Sequence, residues 1–276
     1  MWRLMFKRFA RSKLAMFALF YVAVMTLIAL IAPLFHLDPD AIDLRSRLAA
    51  PNGSHPLGTD ELGRDILARM IHGARVSLTV GFLATLISIV VGSFLGAIAG
   101  YYGRAADWIV SRLIEVVLCF PFLFLVLGIV ALFRPSLTTI MIALGLTTWT
   151  NEARYVRGEF LRIREVEFAQ AARASGARDA RIIFRHLLPN ALAPVIVSAS
   201  FGVAWAILVE SSLSFLGLGV PLPTASWGSI LNDARSQMEY AWWLILFPGL
   251  AIFTTVAAFN VIGERFRDAL DPRSGS

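Results

Sequence analysis

Seven stretches of this chain contain no Asp, Glu, Lys or Arg: residues 14–37, 76–103, 116–133, 135–151, 186–209, 211–232 and 240–263. A helix rising about 1.5 Å per residue needs roughly 20 residues to cross about 30 Å of hydrocarbon. The first, second, fifth and seventh runs reach that length, and the third and fourth reach it by extending past one charged or polar end. The run 211–232 holds three Gly, two Pro and six Ser or Thr. As a lipid-exposed helix it would leave backbone hydrogen bonds broken where no water can replace them. It is expected to be a loop with short structured pieces, which leaves six spans. Composition agrees, since 16% of the residues are charged and 57% hydrophobic, against roughly a quarter and a half in soluble domains.

Charge places the ends. With the N-terminus inside, the inner segments 1–13, 101–112, 152–190 and 264–276 hold 18 of the 25 Lys and Arg. That asymmetry is the positive-inside bias and puts both termini on the cytoplasmic side. The net charge of +6 is thereby accounted for by inner loops, without a nucleic-acid partner. The basic start followed by an apolar run suits a signal peptide. The run is longer than the usual 7–15 residues, however, and no A-x-A cleavage site follows, so an uncleaved first span is expected.

Several chemistries are excluded. The only lysines are Lys7 and Lys13, so no Gly-Lys-Ser/Thr phosphate loop exists. The four histidines, His36, His55, His72 and His186, form no H-E-x-x-H pair, and no G-x-S-x-G elbow occurs. The single cysteine, Cys119, cannot make an internal disulfide or a metal cluster. The string 58–65, G-T-D-E-L-G-R-D, lacks the twelve-residue spacing of a calcium loop and reads as packing at the membrane surface. Two acids, Glu115 and Glu210, fall in or beside spans, and an intramembrane carboxylate is a functional-site hypothesis by default. Glu115 reads as interfacial. Glu210, with its neighbour Ser211, is the candidate contact with a transported solute.

Residues 152–190 carry eight Arg and five acids and are expected to lie outside the lipid. Phe168, Ala171, Ala172 and Ser175 recur at helical spacing, which suggests a short amphipathic helix. Gly176 supplies a positive-φ turn. A second basic helical piece from about Arg178 to Leu187 runs to Pro189, which suits the first turn of the next span. The product is a helix–turn–helix bracket with a small Ala face that another protein could approach. A solvated connector is the plain alternative.

Gln170-Ala171-Ala172, then Gly176, then Leu188-Pro189 resembles the E-A-A…G…I-x-L-P cytoplasmic loop of ABC importer permeases. Gln170 stands where Glu is usual and His186 where Ile is usual, which keeps a hydrogen-bonding amide but removes the charge. Blocks 55–78, 210–231 and 259–273 resemble the second permease subunit of dipeptide, oligopeptide and nickel importers. The resemblance implies an all-α membrane protein with six transmembrane helices and a cytoplasmic coupling-helix loop, the type I ABC importer permease fold. It divides the chain into 1–75 (inner tail, first span and periplasmic segment), 76–266 (a five-helix core with a coupling loop over 158–190) and 267–276 (inner tail). It implies ATPase coupling through Phe168, Gln170, Ala171, Ala172, Arg173 and Ser175, and through Gly176, Arg178, Asp179, Leu188 and Pro189. Its implied partners are a homologous second permease, two ATP-binding subunits that carry the ATP and magnesium, an extracytoplasmic substrate-binding protein and membrane lipid. The chain itself holds no cofactor and is not an enzyme. The cargo is expected to be a di- or oligopeptide. A nickel permease of the same family, a proton-coupled secondary transporter using Glu210 and a membrane-bound enzyme are the alternatives.

Overall fold

A computed structural model describes residues 9–35 and 37–270. His36 and the ends of both expected tails, residues 1–8 and 271–276, lie outside the described residues. The described residues are mostly helical, and their only β feature is an isolated bridge between Thr59 and Asp65.

The first long helix, α1 (Lys13–Ile31), starts where the Ser12 hydroxyl accepts from the Ala15 amide and runs on into a 3₁₀ turn, Ala32–Leu34. Phe17, Phe20, Leu27 and Leu30 are exposed along it, an apolar surface suited to lipid. The second helix, α2 (Ile66–Tyr102), is 37 residues long and capped by Asp65. At about 1.5 Å per residue it is nearly twice as long as the hydrocarbon is thick. It begins ten residues before the charge-free run 76–103, so the boundary drawn at 75/76 falls inside one continuous helix.

The expected third span is two helices, α3 (Arg104–Cys119) and α4 (Phe122–Phe133), bent by 90° at the break between them. Phe120 and Pro121 are extended there, because the residue before a proline is pushed out of the helical region. Next come α5 (Leu137–Ile163), the short α6 (Glu167–Ala174) and one turn, α7 (Asp179–Arg181). A π-helical stretch, Ile182–Leu187, joins α7 without a gap to α8 (Leu188–Phe215). The basic piece is therefore the inner end of the following helix rather than a separate rod. The run 211–232 closes α8, loops, and re-enters as α9 (Trp227–Asp233), and α10 (Trp243–Leu270) ends the described chain.

By length and apolarity four of these helices can cross a membrane, α1, α2, α8 and α10, or five if the bent pair α3–α4 is one span. The six-span expectation also needs α5. Only the first half of α5 is free of charge; its second half carries Glu152, Arg154, Arg157, Glu159 and Arg162. Most of those charges are exposed or paired, Arg157 with Asp107 and Arg162 with Glu159, while the packed face of α5 lies along α2 on a row of small residues. A Cβ at Gly92 would stand 2.5 Å from the Glu152 Cβ, one at Gly96 2.5 Å from the Ala153 carbonyl oxygen, and one at Gly100 2.5 Å from the Phe160 Cβ. Such small-residue rows let membrane helices approach closely, and here the row holds the inner bracket against the rest of the bundle.

Candidate functional site

The bracket is built from the inner ends of α2 and α5. Beyond Ile163 the chain turns, with the Arg164 guanidinium donating to the Gly100 carbonyl at 3.1 Å. Helix α6 carries Glu167 in its first turn and Arg173 in its last, signs that complement the helix dipole. It ends in a Schellman motif: Gly176 N–H donates to the Arg173 carbonyl and Ala177 N–H to that of Ala172, at 2.9 and 3.1 Å. Gly176 has φ +77°, and a Cβ there would meet nothing within 4 Å. The glycine is therefore required for the backbone angle, not for room.

Three contacts stiffen this bracket. Ala169 is completely buried among Tyr101, Phe160, Ile163, Ile182 and Leu187. The Tyr101 hydroxyl donates to Asp179 Oδ1 at 2.6 Å, and the Arg173 guanidinium carbon lies 5.4 Å from the centre of the Tyr101 ring. The Gln170 amide donates to the Glu165 carbonyl at 3.0 Å, so this side chain caps backbone without needing a charge. Of the residues expected to couple, Phe168, Gln170, Ala171, Arg173, Ser175, Gly176, Arg178, Asp179 and Pro189 are exposed, while Ala172 and Leu188 are half-buried. The periodicity of Phe168, Ala171, Ala172 and Ser175 marks the outward side more than the packed one. Ala169 and Tyr101 anchor the bracket, and the sequence reading missed both. A fully small residue inside an amphipathic turn was the available signal for Ala169.

At the opposite end, the 58–65 string is a buried charge network. Asp60 Oδ2 accepts from Arg64 Nε and from an Arg69 terminal nitrogen, each at 2.7 Å. Asp233 Oδ2 accepts from Arg69 at 2.8 Å and from Arg64 at 3.1 Å. Arg69 is wholly buried and Asp60 nearly so, while Asp233 is a quarter exposed, so the loop is bound to α9 through ion pairs centred on an enclosed guanidinium. Among the described residues no group of three His, Cys, Asp or Glu is placed to hold a metal ion.

The two acids singled out from the sequence have different surroundings. Glu115 is about half exposed and paired with Arg112 at 2.6 Å. Glu210 is completely buried in a serine cage: Ser214 donates at 2.7 Å, Ser77 at 3.2 Å and Ser211 at 3.5 Å. Ser77 also accepts from the Trp227 amide at 3.3 Å. Glu210 and Ser211 thus join α2, α8 and α9, and neither lines the cavity between α2, α5 and α8. The hydroxyls that could have received a solute are spent on the carboxylate.

A cavity of about 330 Å³ lies instead between α2, α5 and α8. Thr85 and Ser88 line it from α2, Thr148, Asn151 and Glu152 from α5, and Ser198, Phe201 and Trp205 from α8. Gly202 belongs to the same wall, where a Cβ would press on the Thr85 methyl at 3.0 Å. Glu152, expected in a solvated segment, is 7% exposed and accepts from Ser198 Oγ at 2.7 Å.

Comparison with known proteins follows this architecture. Residues 92–276 match the family described as binding-protein-dependent transport system inner membrane component, and residues 1–51 match the N-terminal TM domain of oligopeptide transport permease C. The dipeptide transport system permease protein DppC of Alkalihalophilus pseudofirmus is 44% identical over 276 residues, covering 100% of this chain and 91% of that protein. The oligopeptide transport system permease protein OppC of Haemophilus influenzae is 41% identical, covering 99% of this chain and 89% of that protein. The glutathione transport system permease protein GsiD of Pectobacterium atrosepticum is 39% identical, covering 99% and 91%. Among solved structures, an inward-facing MetNI methionine ABC transporter chain superposes with a TM-score of 0.60 at 19% identity, covering 75% of this chain and 98% of that one. At that identity the likeness speaks for the fold: a type I ABC importer permease.

Proposed function

Because this chain belongs to the family of binding-protein-dependent transport system inner membrane components, we propose that it carries short peptides inward as one half of a two-permease channel. Its engine is a pair of separate ATP-binding subunits, which carry the ATP and magnesium, and an extracytoplasmic binding protein delivers the peptide. The observation that carries this reading is the exposed, rigidly backed bracket at 167–181, together with full-length similarity to dipeptide and oligopeptide permeases.

The bracket seats in a cleft on an ATP-binding subunit. When two such subunits close on ATP, each bracket moves with its subunit, and the helices behind it reorient as near-rigid bodies. Force passes from α6 through Ala169 and Tyr101 into α2, and through the unbroken 179–215 helix into the wall of the cavity. The chain contributes no catalytic group to ATP hydrolysis. It converts a subunit displacement into alternating access. The outer loop 35–65 and the 216–242 region provide the surface for the binding protein, while the segment before α2 serves as entry segment and the helices from α2 through α10 as core. Both termini are cytoplasmic in the bacterial inner membrane.

Reconstitution with the partner subunits and binding protein in vesicles tests this. Radiolabelled dialanine uptake that requires ATP and survives collapse of the proton gradient is the expected result. Uptake of nickel ion in place of dipeptide would reassign the cargo, and uptake lost with the proton gradient alone would overturn the ATP-driven mechanism.

A further inference from the structure

Glu152 is the single charged side chain on the cavity wall. One of its oxygens accepts from Ser198, and no other described side chain or amide is hydrogen-bonded or ion-paired to the carboxylate. Its other oxygen makes no hydrogen bond with the protein and is left to the cavity, where a cation is the natural complement of a largely buried carboxylate. A second polar group on the same wall, Thr85 Oγ1, is buried with no hydrogen-bond partner. Ser88, Thr148 and Asn151 add further acceptors around the same space. Trp205, Tyr155 and Phe201 supply aromatic surface, which attracts an alkylammonium as well as apolar side chains. Asn151, Tyr155 and Trp205 are exposed, so the cavity has an open side. Its volume is at the lower end of the roughly 300–1,000 Å³ typical of small-molecule sites.

We infer that this cavity is a subsite for the N-terminal ammonium group of the transported peptide, with Glu152 as its counter-ion and Thr85 as a further acceptor. The inference rests on the peptide-permease reading above and adds to it the end of the peptide that the membrane subunit holds. An ammonium has three donors and no acceptor. It therefore suits a site that offers one carboxylate and several hydroxyl oxygens but no basic residue. The peptide's carboxylate has no matching cation here. Ser198 is a positioning residue, since it holds the carboxylate from the side away from the free oxygen.

Thiol protection on the assembled importer in vesicles tests the assignment, using Thr148→Cys as reporter in a Cys119→Ser background. Millimolar dialanine is expected to slow labelling of the reporter by a small thiol reagent, and N-acetyl-dialanine is not. Glu152→Gln is expected to weaken dialanine protection about tenfold or more, the scale of a hydrogen bond to a charged group, while Glu152→Asp retains most of it. A merely structural carboxylate predicts the reverse ranking, because Gln keeps the shape and Asp does not. Equal protection by both peptides, no protection by either, or Gln outperforming Asp would overturn the subsite. Dialanine uptake by the same vesicles separates the two readings: uptake without amine-dependent protection sinks the subsite alone, whereas no uptake sinks the permease function beneath it. If Glu152→Gln does not copurify with its partners, Ser198→Ala takes its place. It is expected to weaken protection severalfold, and unchanged protection in that variant would count against the assignment.

Discussion

At the level of single residues, backbone angle and buried charge decide most. Gly176 sits at φ +77° in open space, so its replacement by valine costs about 1–2 kcal/mol in the left-handed region without any clash. Asparagine, which tolerates that region better, is expected to keep most dipeptide uptake, while Gly176→Val loses transport and substrate-stimulated ATP hydrolysis but still inserts. Uptake and ATPase assays on matched membrane fractions read the difference, and equal performance of the two variants would remove the turn from the mechanism. Asp60 is a sharper case, because removing it leaves Arg69 buried with only Asp233 opposite. Asp60→Ala is expected to destabilise the chain by about 3–5 kcal/mol, read as a lowered unfolding temperature in detergent. The turn at Gly176 and the proline at 189 were legible in the sequence, since each residue type has a local backbone consequence. Glu152 was not. In one dimension it opens an Arg-rich segment, and only the approach of Gly92 across the α2–α5 contact reveals that it is enclosed.

At the level of elements, run length misjudges helices whose charges are paired. Helix α2 extends outward past the exposed Arg75 and on through Arg69, which Asp60 and Asp233 neutralise, so the charge that ends the apolar run does not end the helix. The third apolar run conceals a bend, since Pro121 interrupts the helix without adding charge. The bracket makes a mechanical prediction. Tyr101→Phe removes the hydrogen bond to Asp179, a group worth about 1.5–3 kcal/mol when its acceptor is ionised. Faster hydrogen exchange over 167–181 is expected, with lower ATPase stimulation per bound substrate-binding protein. Unchanged exchange would mean that Ala169 packing suffices. On the outer side, Ser236 and then Gln237 donate to Glu61 at 2.7 and 2.6 Å and hold its carboxyl below the usual carboxylate range. A carboxyl lowered by folding stabilises above its unfolded value and loses that contribution as pH falls through the folded one. The clasp between this loop and the 234–236 turn is therefore expected to loosen only in acid, below the ordinary glutamate range. Ser236→Ala should bring that loosening to higher pH, as read by protease cleavage of the 53–63 loop.

For the whole molecule, the two ends do different work, and both depend on the same continuous helices. On the proposed function the inner end offers exposed, rigidly backed residues to a moving partner, and the outer end is locked by ion pairs centred on the buried Arg69. Helix α8 links them: it grows out of the bracket through a π stretch, borders the cavity at Ser198 and Trp205, and finishes in the Glu210 serine cage. A displacement applied at 179–187 must therefore be felt at the cavity unless the π stretch absorbs it. This arrangement has meaning only if the bracket faces the compartment that holds ATP, as the excess of arginine at 152–190 requires. In a Cys119→Ser background, Ser175→Cys is expected to react with a membrane-impermeant thiol reagent only in inverted vesicles. Ser54→Cys, on the loop before α2, is expected to react only in intact spheroplasts. Both positions are exposed, so a silent site reports its compartment rather than its burial. Labelling of Ser175→Cys from outside would place the bracket beyond the reach of any ATP-driven subunit, and α8 would then have nothing to pull it.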